Sequence, residues 1–217
     1  RGAAAEVCRD RDGGVVDGAD FVACAEDALE SLRLIVEESR IDLPEELPPM
    51  AAGLVGYLGY DTVRLIENLP TANPDPIGIP DGLFLRPTIM AIFDNVKDIV
   101  TVVTPVRPSP GIDARAAYDA ATTRLGHVIA DFERSVTHGR APGERDIAPV
   151  APDSNMTREE FHEMVRRGKE YIFAGDVFQV VLSQRFSVPF SLSPFALYRA
   201  LRRTNPSPFL FFLDFGE

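Results

Sequence analysis

Apolar positions along the chain change period several times, and each change marks an element. From Cys24 to Ser39, Leu29, Leu32, Ile35 and Val36 recur at helical spacing, with Glu26, Asp27, Glu30, Glu37 and Glu38 falling largely between them. That pattern predicts one amphipathic helix with an acidic, solvated outer face. Pro44, Pro48 and Pro49 then break the chain before Ala51 to Tyr60, where Gly53, Gly56 and Gly59 recur among Leu54, Val55, Tyr57 and Leu58. A buried, closely packed strand is expected there. After a turn-rich loop from Pro70 to Gly82, the stretches Leu83–Phe93 and Ile99–Val106 are rich in β-branched residues and flank Asp94-Asn95-Val96-Lys97-Asp98, which predicts a β-hairpin. Asp113 can cap a long helix whose inward stripe is Ala117, Ala121, Leu125, Val128 and Phe132.

Around His138 to Asn155 the apolar period disappears among Pro142, Gly143, Pro149 and Pro152, as expected of a boundary between structural units. The expected organisation is an N-terminal α+β region over residues 1–137, a linker over 138–154, and the start of a second domain over 155–217. Thr157-Arg158-Glu159-Glu160 has the form of a capping box, Phe161, Met164, Val165 and Ile172 form the helical stripe behind it, and Gly175 suits the end of the helix. Beyond Gly175, Phe178, Val180, Leu182 and Phe186 alternate with Gln179, Val181, Ser183 and Arg185, which predicts a strand with an apolar and a mixed face. Ser193-Pro194 opens a helix through Arg203 with Phe195, Tyr198 and Leu201 inward, and Phe209–Phe215 reads as a last strand paired with Val177–Phe186. The fold class is α+β, with mostly antiparallel sheets and packed helices.

Composition narrows the partners. With 22 basic and 33 acidic residues the net charge is −11, which repels a phosphate backbone or an anionic membrane. Neither nucleic acid nor membrane is an expected partner. No apolar run approaches the roughly 20 residues that cross a bilayer, and no signal peptide opens the chain, so a cytoplasmic location is expected. Cys8 and Cys24 lack C-x-x-C spacing and read as reduced thiols. The chain begins at Arg1, and Ala3 to Arg9 resemble the middle of a strand; both ends read as cut.

Few residues offer chemistry. The Gly53–Gly59 pattern lacks the order and the Lys-Ser or Lys-Thr of a phosphate-cradling loop, and reads as packing. His127, His138 and His162 lack the spacing that puts two metal ligands on one helix face. No G-x-S-x-G elbow occurs, and neither cysteine has an activating neighbourhood. Gln179, Ser183, Gln184 and Arg185 could line a pocket for a carboxylate-bearing small molecule or form an ordinary exposed strand face. Asn205-Pro206-Ser207-Pro208 is either a rigid connector or a preformed turn that loses little entropy when a ligand docks.

Three motifs in order, Gly53–Asp61 (GLVGYLGYD), Gly175–Phe186 (GDVFQVVLSQRF) and Asn205–Leu213 (NPSPFLFFL), closely resemble those of the large subunits of anthranilate synthases, component I. The resemblance runs over nearly the whole chain and implies a fragment of that fold, truncated at both ends. It implies a chorismate-using lyase of tryptophan biosynthesis that works with a glutamine amidotransferase subunit supplying ammonia. Ammonia adds to the chorismate ring with loss of a hydroxyl, and elimination of pyruvate leaves anthranilate. Mg²⁺ binds the substrate in that family. Its ligands and the catalytic residues are expected beyond residue 217, so none is assigned here and the fragment alone is expected to be inactive. The loop carrying Asn205, Pro206, Pro208, Phe209 and Leu210 matches part of the family's feedback site for L-tryptophan. A second tryptophan-contacting motif of the family, Leu-Leu-Glu-Ser-like, would precede Arg1, and Phe209 and Leu210 replace a Tyr and Met of some relatives. The alternatives are aminodeoxychorismate synthase component I of folate synthesis, whose strand and loop usually differ from VVLSQRF and NPSP, and a non-catalytic regulatory or subunit-binding module.

Overall fold

The computed structural model describes residues 3–8, 20–70, 74–108, 110–135 and 151–216. It is α+β: four helices and four two-stranded antiparallel ribbons among the described residues. The chain divides into two compact units, Arg1–Val136 with Leu213–Glu217, and Thr137–Phe212. Most of the expected linker, residues 138–150, lies outside the described residues, and Asp153–Ser154 at its end form a short strand.

In the first unit, β1 (Glu6–Val7) pairs with β2 (Val22–Ala23), and Asp27 caps α1 (Ala28–Glu38) by accepting from the Glu30 N–H at 2.9 Å. Cys8 and Cys24 are free thiols. The expected long strand at Ala51–Tyr60 is shorter: β3 is Val55–Leu58, flanked by 3₁₀ turns at Pro49–Ala51 and Tyr60–Leu65. Val55 and Leu58 are exposed, so this strand is not buried. Its glycines are nevertheless needed, because β4 (Gly82–Leu85) pairs with β3 so closely that a Cβ on Gly56 would overlap the Leu83 carbonyl oxygen and stand 2.8 Å from the Phe84 Cα. The Tyr57 hydroxyl donates to the Pro80 carbonyl at 2.9 Å and ties the turn-rich loop to this ribbon.

The expected strand Leu83–Phe93 is two strands. Pro87 lacks an N–H and biases Arg86 away from helix, and the ladder stops at Leu85 and resumes in β5 (Met90–Asp94). β5 then forms the expected hairpin with β6 (Ile99–Val103). Asp94 accepts from the Val96 and Lys97 N–H groups, both at 3.0 Å, and Asp98 turns the corner at φ 55°. These bonds, first from Lys97 and then from Val96, hold the Asp94 carboxyl below its ordinary pKa. Asp113 caps α2 (Ala114–Glu133), as expected, by accepting from the Ala116 N–H at 2.7 Å. Ala121 is buried, while Ala117, Leu125 and Val128 are half-buried. The Phe132 ring meets Phe93 edge-on at 6.0 Å, and Arg124 donates to the Thr104 hydroxyl at 2.8 Å, so α2 lies against the β5–β6 ribbon.

In the second unit, α3 (Arg158–Ala174) starts with the expected capping box and ends at Gly175, φ 83°. The Thr157 N–H donates to Glu160 Oε2 at 2.7 Å and its hydroxyl at 3.0 Å, and these bonds, the backbone one first, hold Glu160 below its ordinary pKa. A carboxylate held ionised in the folded state stabilises above its unfolded pKa, and that stabilisation is lost as pH falls through the lower folded value. Urea titrations of the Glu160→Gln protein should therefore show a shallower acid limb than wild type, with the difference confined to pH below the ordinary glutamate value. Parallel acid limbs would show that Glu160 does not close the box.

Beyond α3 the expected strand pairing is corrected. Val177–Arg185 runs without ladder bonds, only Phe186–Ser187 form a strand (β8), and its partner is β7 (Asp153–Ser154), not Phe209–Phe215. A strand requires a facing backbone, and alternation in sequence does not supply one. Ser193 caps α4 (Pro194–Thr204).

Candidate functional site

The candidate loop follows directly from how α4 ends. Pro206 cannot continue the helix, so Asn205 becomes its cap, with its N–H donating to the Leu201 carbonyl at 2.9 Å. Pro206 and Ser207 lead into a turn at Pro208–Phe209, where the Phe209 N–H donates to the Ser207 hydroxyl at 3.4 Å. Asn205, Pro206 and Pro208 are exposed, Phe209 is 86% exposed, and Leu210 is half-buried. The structure thus presents the five candidates as one contiguous, largely exposed turn.

What holds that turn was not visible in the sequence. Phe212 turns back onto α4 and packs edge-on against Phe195 at 5.3 Å and tilted against Tyr198 at 5.6 Å, while Phe195 and Tyr198 stack at 6.0 Å. Such aromatic pairs contribute about 0.5–1.5 kcal/mol each beyond their buried area. The loop is therefore pinned at both ends, by the Asn205 cap and by the Phe212 cluster. The available signal was the Phe195 and Tyr198 spacing on one face of α4, read with the aromatic run after Pro208. Arg202 and Arg203 occupy the last turn of the helix, where cations complement its dipole, and lie beside the loop in sequence.

The polar stretch before β8 is organised differently. Val180 and Leu182 pack over the buried Gly168 of α3, their methyl carbons 3.2 and 3.7 Å from where its Cβ would be. This leaves Gln179, Ser183, Gln184 and Arg185 exposed. Phe178, expected on the apolar face, is 96% exposed, and Val180 itself remains 42% exposed, so the expected apolar face is only partly covered. Asn155 clasps the end of the stretch: its N–H donates to the Arg185 carbonyl at 3.0 Å and its Oδ1 accepts from the Arg185 N–H at 2.8 Å. Ser154 adds a bond to Gln184 Oε1 at 3.3 Å.

No three His, Cys, Asp or Glu side chains converge as a metal site requires among the described residues, so the donor set present does not fit Mg²⁺. No described helix is long and apolar enough to cross a membrane.

Comparisons with known proteins place these motifs. A family model for chorismate binding enzymes matches residues 10–217. The chain is 52% identical over 192 residues to anthranilate synthase component 1 of Cereibacter sphaeroides, covering 87% of this chain and 37% of that protein. It is 44% identical over 172 residues to the Thermus thermophilus protein of the same name, covering 79% of this chain and 35% of that one. The crystal structure of anthranilate synthase component I from Streptococcus pneumoniae superposes with a TM-score of 0.73 at 28% identity, over 99% of this chain and 48% of that one. The chain thus spans little more than a third of the length of the curated relatives it matches.

Proposed function

The chain belongs to the chorismate binding enzymes, and from that premise we propose that it is part of an anthranilate synthase large subunit. That enzyme converts chorismate and ammonia to anthranilate and pyruvate, with ammonia drawn from glutamine by a partner amidotransferase. The observation that carries this reading is the 52% identity over 192 residues to a protein of that name. The same family description also covers aminodeoxychorismate synthases; the VVLSQRF segment and the NPSP loop favour anthranilate synthase. Residues 155–217 are read as the opening of the catalytic domain, a reading supported by the capping box that starts α3 at Thr157. By the family resemblance, the metal's ligands and the groups that do the chemistry are assigned beyond residue 217. The complete protein is placed in the cytoplasm.

Within this chain the proposed role is regulatory. The Asn205–Leu210 tip is the part of a tryptophan feedback site that the chain contributes, with Pro206 and Pro208 against the indole and Phe209 or Leu210 closing over it. The exposure of Phe209 supports this, since an apolar ring pinned in solvent gains when a second ring covers it. The test of the overall reading is the product formed from chorismate, Mg²⁺ and ammonium by the complete protein, resolved by chromatography. Anthranilate with pyruvate is expected. Aminodeoxychorismate would move the protein to folate synthesis, and no product would overturn the enzymatic reading.

A further inference from the structure

The first unit contains a half-open groove of about 440 Å³ between the C-terminal half of α1 and the start of β3, within the size range of small-molecule sites. Leu32, Val36, Leu43, Leu54 and Phe84 give it apolar walls. Ser39 interrupts them: it is only 5% exposed, and its hydroxyl has no hydrogen-bond partner. An unsatisfied buried hydroxyl costs roughly 1–3 kcal/mol, so it signals an absent acceptor.

A second unsatisfied donor lies beside it. The Arg107 guanidinium reaches the Ser39 carbonyl through Nη2 at 3.3 Å, yet its buried Nε–H has no acceptor. Burial first, and then the neighbouring Arg86, hold Arg107 below its ordinary pKa. Acidic residues outnumber basic ones by 33 to 22 in this chain, yet no described carboxylate pairs with Arg86 or Arg107. Arg40, at the groove wall, adds a third cation. An unpartnered buried hydroxyl and the Arg40 cation at an apolar wall, with a second unpartnered donor on the Arg107 that bonds the Ser39 carbonyl, are complementary to one chemistry: a carboxylate on a hydrocarbon body.

We propose that this groove binds a small monocarboxylate with an apolar or aromatic body, the carboxylate received by Ser39 and Arg107 and the body held among Leu32, Leu54 and Phe84. The site is separate in sequence from the Asn205–Leu210 tip and stands whether or not the protein makes anthranilate. The probe is 3-phenylpropionate, titrated calorimetrically into the complete protein, with 3-phenylpropanamide as its neutral counterpart. Saturable binding of the acid is expected, at least tenfold tighter than the amide. Ser39→Val and Arg107→Met should each weaken the acid roughly tenfold, the usual loss for a hydrogen bond to a charged group. Ala52→Leu, which fills the groove from its wall, should abolish binding, and Leu54→Phe does the same from a second wall if the first variant misfolds. Saturating chorismate or tryptophan should leave the titration unchanged. Equal binding of acid and amide, binding indifferent to all four substitutions, competition by chorismate or tryptophan, or no binding at all would overturn the proposal.

Discussion

Replacing Gly56 by alanine should destabilise the complete protein by about 3 kcal/mol, the upper end of what overpacking costs. The reason is that both atoms a new Cβ would strike, the Leu83 carbonyl oxygen and the Phe84 Cα, are backbone. They cannot rotate aside, so the β3–β4 ladder itself must open, and with it the pairing of Val55 with Leu85 and Tyr57 with Leu83. Other glycines calibrate the prediction. At Gly82 the nearest atom is the Leu58 Cδ2 at 2.9 Å, the end of a flexible side chain, so alanine there should cost far less. At Gly126, inside α2 with nothing within 4 Å, alanine should stabilise by about 0.5–1 kcal/mol through helix propensity. Urea unfolding of the three variants should rank them Gly126→Ala, Gly82→Ala, Gly56→Ala from most to least stable. A Gly56→Ala protein as stable as wild type would mean that β3 and β4 do not pair in this register.

That ranking also shows which features of the fold could be read from the sequence. Helix starts were legible at Asp113, Thr157 and Ser193, because a cap is a bond between residues three apart and needs nothing else from the chain. The glycine repeat was legible as packing, and Gly56 bears that out, although the strand around it is exposed rather than buried. Strand partners were not legible. Leu83–Phe93 has the composition of one strand, and Pro87 in its middle divides it between two ribbons. Val177–Arg185 alternates as a strand should, yet a ladder depends on a second segment distant in sequence, and here Asn155 bonds only the Arg185 end of it. The helix end and turn at Asn205–Phe209 were legible through their prolines. The Phe212 cluster that fixes them was not, because it joins a helix face to a residue beyond a turn. Least legible was the Ser39–Arg107 pair: two polar residues 68 positions apart carry no mutual signal until the fold brings them together.

Pro208→Ala should weaken tryptophan inhibition of the complete enzyme by roughly fivefold to twentyfold, while kcat and the KM for chorismate stay within about twofold. The magnitude comes from two contributions. A proline fixes φ, and releasing it returns about 0.4–1 kcal/mol of conformational freedom that tryptophan must then remove on binding. Trimming the ring also removes apolar area that would lie against the indole, at about 25 cal/mol per Å². Because Pro208 is exposed and packs against no described core, the substitution should leave the unfolding midpoint nearly unchanged, which separates a loss of affinity from a loss of structure. The anchors make a sharper contrast. Phe212→Ala removes the contacts to Phe195 and Tyr198 that hold the far end of the loop, and should weaken inhibition together with stability. If Pro208→Ala leaves the inhibition constant unchanged, the loop is a connector between α4 and the segment after it, and the indole is held elsewhere. If inhibition and turnover fall together, the loop supports the catalytic domain as a whole, because a dedicated inhibitor contact can act on the first without the second.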